Sequence, residues 1–164
     1  MIKNHSSTSL KNRSQNGITL IEVLIANIIL AAGLLGAAAL QNQTLQFNNQ
    51  ARLNTLANML AYDMMSRIIA NNEFSTTGTG YSAPAASIPT TYPDACETSS
   101  CNPTQLANYD INQWKFLVRQ YLPDGDGTIA FTTTTGNREY TITISFNDSR
   151  GRDTDQQVIL RGTL

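Results

Sequence analysis

The chain has 164 residues, 41% of them hydrophobic and 14% charged, with a formal net charge of −1 and one histidine. That length holds a soluble part of single-domain size and leaves no room for a large enzyme core. The charges carry no basic stripe of the kind that nucleic-acid binding needs, so nucleic acid is excluded as a partner.

Met1 to Gly17 contains Lys3, Lys11 and Arg13, no acidic residue, and the single histidine, His5. Ile18 to Leu40 follows as an apolar run long enough to cross the hydrocarbon core as a helix, for which about 20 residues suffice. Its twelve Leu, Ile and Val residues each favour insertion by roughly 0.3 to 0.6 kcal/mol, against roughly 2.5 to 3.5 for one central acidic residue. Insertion therefore wins despite Glu22, which lies near one end of the run, and Asn27 is the more deeply placed polar group. The basic leader predicts an N-in, C-out orientation in the inner membrane. Ala37-Ala38-Ala39 offers an A-x-A site for an ordinary secretory signal, but such signals have apolar cores of about 7 to 15 residues. An ionisable group inside a span is a functional hypothesis by default.

The segment Gly17-Ile18-Thr19-Leu20-Ile21-Glu22-Val23-Leu24-Ile25-Ala26 resembles the class III signal of type IV pilins and pseudopilins. The resemblance implies that a prepilin peptidase cuts after Gly17 and methylates the new amino terminus of Ile18, with Glu22 as the acidic residue used in assembly with other pilins. Ile18 departs from the family, in which phenylalanine is commoner at that place. The likeness covers Gly17 to Leu40, a small share of the chain. Cleavage would leave a net charge of −4 and no histidine, which removes His-based acid–base chemistry and His-containing metal sites. The expectation is a protein that is not an enzyme and has no cofactor.

Gln41 to Asn72 lacks glycine and proline, and Leu45, Leu53, Leu56, Leu60, Met64 and Ile68 fall at helical spacing. One helix is expected from Ile18 to Asn71, about 80 Å long. Gly33 and Gly36 lie inside it, each weakening the helix by about 1 kcal/mol relative to alanine. They mark a softer segment, sites of close backbone packing, or positions simply tolerated in lipid.

From Phe74 to Asn102, serine, threonine, glycine and proline predict a long connecting loop, with O-linked sugars as a secondary reading of its hydroxyls. Cys96 and Cys101 lack the further ligands of a zinc site. An extracytoplasmic location favours their oxidation to a disulfide over a pair of thiols. Closing so short a loop would stabilise by about 2 kcal/mol on the chain-entropy model.

Asn102-Pro103 has the form of an N-cap with proline in the first turn. Ala107, Ile111, Trp114, Val118 and Tyr121 then make one stripe of a second helix ending at Leu122, where Pro123 stops it. Trp114 is read as core. Asp124-Gly125-Asp126-Gly127 invites a calcium reading, but the EF-hand pattern fails at Thr128, Ile129 and Thr135, and a tight turn is the expectation. Three strands follow at Thr128 to Thr133, Arg138 to Phe146 and Gln156 to Arg161, with reversals at Gly136-Asn137 and over Asn147 to Asp155. Tyr140, Ile142, Ile144 and Phe146 should face inward, and Thr141, Thr143 and Ser145 outward.

The predicted fold class is α+β, a long N-terminal helix with a small antiparallel sheet on its second half and an additional short helix. The organisation is a leader (1–17), a membrane or assembly segment (18–40), an amphipathic continuation (41–72), a disulfide loop (73–104), and the second helix with the sheet (105–164). Cys96, Cys101, Trp114, Leu122-Pro123 and Tyr140-Thr141-Ile142-Thr143 further resemble PilV-type minor pilins. A minor pilin of a type IV pilus is the reading that follows, located in the membrane as a precursor and then in the pilus. The alternatives are a type II secretion pseudopilin, and an uncleaved membrane-anchored periplasmic binding domain.

Overall fold

The computed structural model describes residues 17–78, 80–134, 136–147 and 155–164. The leader residues Lys3, His5, Lys11 and Arg13, the EF-hand position Thr135, and residues 148–154 of the second reversal lie outside these. Two units are distinguished, one ending at Leu45 and one running from Gln46 to Leu164.

Helix α1 spans Leu20–Ala70, 51 residues, uninterrupted through Gly33 and Gly36. Among the described residues, a Cβ at either glycine would meet open space, so no contact among them requires glycine there. In the first unit every described residue is exposed. In the second unit α1 buries Leu53, Ala57, Ala61, Met64, Met65 and Ile68. Steps of three and four place these on one face. The expected stripe is corrected at one end, since Leu45 is exposed, and Leu56 and Leu60 are only partly buried at the edge of the core.

Asn71 ends α1. Its backbone leaves the helical region at φ −93°, ψ 53°, and its buried side chain donates to Tyr81 Oη at 3.0 Å and to the Pro103 carbonyl at 2.7 Å. A five-residue helix, α2 (Asn72–Thr76), follows at the start of the segment read as loop. The glycines and prolines that prompted that reading begin only at Gly78, and Phe74 on α2 packs edge-on against Tyr81 at 5.8 Å between centroids.

Helix α3 spans Pro103–Tyr121 and is opened by a capping box, with Asn102 accepting from the Gln105 amide while the Gln105 side chain accepts from the Asn102 amide. Leu122 adopts extended backbone, φ −115° and ψ 131°, as the residue before a proline must. Ala107, Trp114 and Val118 are buried as expected. Tyr121 is not: it is 54% exposed, and Leu122, just past the helix, takes the core position at 1%.

Strands β1 (Asp126–Thr134), β2 (Asn137–Phe146) and β3 (Gln156–Thr163) form an antiparallel sheet in that order. Gly136, at φ +88°, lies between β1 and β2 in left-handed backbone that glycine accepts without steric cost. β1 begins two residues before the predicted start, so Asp126 and Gly127 belong to the sheet. The turn sits earlier, at Asp124 (φ +49°), where the Gly125 amide donates to the Leu122 carbonyl at 3.0 Å. Tyr140, Ile142, Ile144 and Phe146 are fully buried, while Thr141, Thr143 and Ser145 are half-buried on the opposite face. The inner face is covered by α1, where Met65 lies over Gly162, and by α3, where Trp114 lies over Gly127.

Candidate functional site

Two places bear on function, each within one unit. The first is the start of α1. Gly17 and Ile18 precede the helix and are exposed, and Thr19 provides the first carbonyl of the ladder, accepting from the Glu22 amide at 3.0 Å and the Val23 amide at 3.3 Å. Glu22 is thus the third helical residue and the acidic residue of the first turn. A negative charge there complements the positive end of the helix dipole. From Ile18 to Leu45 no side chain is buried, and Ile18, Leu20, Ile21, Leu24, Ile28 and Leu35 are each more than half exposed. Leaving this much apolar surface in water is costly, at about 25 cal/mol per Å². The helix is long and apolar enough to cross a membrane.

The second place is a polar cluster that gathers residues from α1, the following loop and α3. Cys96 and Cys101 are joined by a disulfide, with 5.6 Å between Cα atoms. Inside that ring, Glu97 Oε1 accepts from the Tyr92 hydroxyl at 2.6 Å and the Tyr109 hydroxyl at 2.7 Å. Gln113 Nε2 donates to both tyrosine oxygens at 2.6 Å and lies 3.1 Å from the same carboxylate oxygen. The other end of that amide, Gln113 Oε1, accepts from Arg67 Nη1 on α1. A guanidinium only donates, which fixes the orientation of the amide.

Arg67 also pairs with Asp63 at 2.9 Å and with Asp110 at 3.3 Å, and Asp110 accepts from the Tyr81 hydroxyl at 2.9 Å. The Tyr92 and Tyr109 hydroxyls hold the Glu97 carboxyl below its usual range. Burial pushes the Asp110 carboxyl up, against the opposing pull of Tyr81 and Arg67. Burial likewise raises the Tyr81 and Tyr109 hydroxyls. These residues form a structural network and present no nucleophile beside a base.

Sequence reasoning singled out Cys96 and Cys101 from this cluster and missed the rest. Helical spacing carried one usable signal: Asp110 stands three residues after Ala107 and four before Trp114, on the buried face of α3.

Asp124 and Asp126 do not converge. Asp126 Oδ2 accepts from the Ala86 amide at 2.7 Å, and Oδ1 accepts from its neighbour Gly127 at 2.7 Å and faces the buried Lys115 ammonium at 3.5 Å. Asp124 faces Arg119 at 3.4 Å on the exposed surface. Among the described residues no group of three or more His, Cys, Asp or Glu side chains is arranged to hold a metal ion.

Residues 12–38 match the family model described as the prokaryotic N-terminal methylation motif. The match supports the type IV pilin and pseudopilin family, whose members are structural subunits, and indicates a pilin-like substrate of prepilin peptidase. No curated protein and no solved structure matches the chain.

Proposed function

From the premise of a type IV pilin-like chain that prepilin peptidase processes, we propose that this protein is a minor pilin, of the PilV type, that acts in pilus assembly or enters the fibre. The observation that carries the reading is the methylation motif leading directly into a helix whose residues from Leu20 to Leu45 are all exposed among the described residues. Such a helix needs lipid first and other helices later. The motif and the apolar helix fit a membrane-anchored precursor, and the basic leader favours N-in, C-out insertion in the inner membrane.

Cleavage after Gly17 leaves a methylated ammonium on Ile18, two residues before the first helical residue. A cation there faces the positive end of the helix dipole, so an anion in the first turn is needed to offset both. Glu22 supplies it. In a bundle of like subunits, pairing of Glu22 with the terminal amine of a neighbour favours one axial register, because the attraction is strong where water is excluded. Apolar packing supplies cohesion and the charge pair supplies placement.

Intact mass and N-terminal sequencing of the membrane-extracted protein test the processing. The expected terminus is N-methylated Ile18; a protein that still begins at Met1, or that begins after Ala39, overturns it. Mass spectrometry of sheared pili tests the assignment to a pilus. Absence from pili, with copurification of secretion components, would assign the chain to a type II secretion pseudopilus instead.

A further inference from the structure

We propose that the Cys96–Cys101 bridge is a redox-controlled latch on the packing of α3 against α1, acting through Glu97 and Gln113 on Arg67. The inference concerns the fold of the second unit and stands whether or not the chain enters a filament.

The bridge spans five residues in a segment with no regular secondary structure, and Glu97 is held inside that ring. Glu97 is exposed, yet its carboxylate Oε1 gathers Tyr92, Tyr109 and Gln113. Those three side chains come from two segments, the loop before the bridge and α3. Gln113 passes the connection on: buried at 8%, it faces the tyrosines with its amide nitrogen and the Arg67 guanidinium of α1 with its oxygen. Arg67 is then tied to Asp63 on its own helix and to Asp110 on α3, and Asp110 to Tyr81. One continuous chain of polar contacts therefore runs from the disulfide ring to the end of α1.

An exposed carboxylate on a loop collects several donors only if the loop is held in place. The bridge supplies that constraint. Reduction by a dithiol breaks the S–S bond, delivers two electrons and two protons to give two cysteine thiols, and leaves the dithiol as its own disulfide. The loop then regains the conformations the ring had removed. Glu97 leaves the tyrosines, Gln113 loses the partners that orient it, and Arg67 loses an acceptor in a partly buried site, where unpaired polar groups are costly. The bridge thus does more than shorten the unfolded chain: it sets the native packing of α1 on α3, and a chain that has not met an oxidising compartment is loosely packed at that seam.

Hydrogen exchange of the folded, full-length chain in detergent micelles separates the two roles. Wild type and Glu97→Gln are each measured oxidised and after reduction with dithiothreitol, with thiol content checked by mass. In wild type, reduction is expected to speed exchange of the amides of residues 63–70 and 109–113 by about tenfold. In Glu97→Gln these amides already exchange faster when oxidised, and reduction adds less than about twofold, because the two changes remove one coupling. Unchanged exchange in α1 on reduction of wild type overturns the proposal, as does an equal acceleration in both proteins. If Glu97→Gln does not fold, the double variant Tyr92→Phe, Tyr109→Phe removes the same donors and is read in the same way.

Discussion

The indole Nε1 of Trp114 on α3 donates to the main-chain carbonyl of Leu60 on α1 at 2.9 Å, in addition to the bond that carbonyl makes along its own helix. The same ring covers Gly127 at the start of β1 so closely that a Cβ there would collide with it. Trp114 thus joins α1, α3 and the sheet, and it is fully buried.

Gly127→Ala is therefore expected to destabilise by about 1 to 3 kcal/mol through overpacking. Gly162→Ala provides the contrast, because its Cβ would meet the Met65 side chain at 2.8 Å, and a flexible thioether can move aside. Trp114 is the only tryptophan, so urea unfolding followed by its fluorescence reads both variants at the seam itself. Equal losses for the two would mean that the ring is not the rigid element.

The buried ammonium of Lys115 predicts an asymmetry. Its nitrogen donates to the Pro84 carbonyl and faces Asp126, whose second oxygen accepts from the Ala86 amide. Asp126→Ala leaves a buried cation without its counter-charge, a defect that costs about 3 kcal/mol or more. Lys115→Met removes the cation and keeps the aliphatic bulk, and Asp126 retains its amide donors, so the loss is expected to be smaller. Thermal unfolding of the two variants should order them that way. Because Asp126 is committed to Lys115 and the loop, a chelator is expected to leave the unfolding of wild type unchanged.

Burial and hydrogen bonding predict opposite pH dependences for two carboxyls on the same network. Burial raises the Asp110 carboxyl, so between its unfolded value, about 3.9, and its higher folded value the native state binds more protons. Stability from this group falls as pH rises through that window. Glu97 is held low, first by the Tyr92 hydroxyl and then by that of Tyr109. Its contribution is present above the unfolded value, about 4.3, and is lost as pH falls through the folded value. Denaturation between about pH 3 and pH 7 should show wild type losing ground to Asp110→Asn as pH rises, and gaining on Glu97→Gln. Parallel profiles for both pairs would contradict the assigned environments.

What could be read from the chain divides along physical lines. Periodic burial is local, so α1, the inward residues of β2 and the Asn102-Pro103 opening of α3 were legible from spacing and capping chemistry. The boundary at Leu122 was legible through Pro123, but which of Tyr121 and Leu122 would be buried depends on backbone leaving the helix, which periodicity does not carry. The end of α1 at Asn71 was placed to within a residue, while its cause, an amide drawn to Tyr81 and Pro103, joins positions 10 and 32 residues apart. The polar cluster was illegible for the same reason: Arg67 and Gln113 are 46 residues apart, and neither stands out on its own helix. The N-terminal motif was legible because its residues are contiguous, and residues 12–38 match the methylation-motif model.

Glu22 allows the most direct test of assembly. If its role is only to complement the start of α1, Glu22→Gln should cost a few tenths to about 1 kcal/mol of local helix stability and leave incorporation intact. If it marks the register against the amine of a neighbour, neutralisation removes the one charged side chain of the apolar segment 18–40, and with it what distinguishes axial positions there. Glu22→Leu lowers the cost of insertion, so the variant should accumulate in the membrane at least as well as wild type. It should nevertheless be depleted in sheared pili by tenfold or more, which is about 1.4 kcal/mol of lost placement. Quantitative immunoblotting of membrane and pilus fractions separates the two quantities. Incorporation equal to wild type would restrict Glu22 to capping its own helix, whereas loss from both fractions would place its effect on stability of the precursor rather than on register.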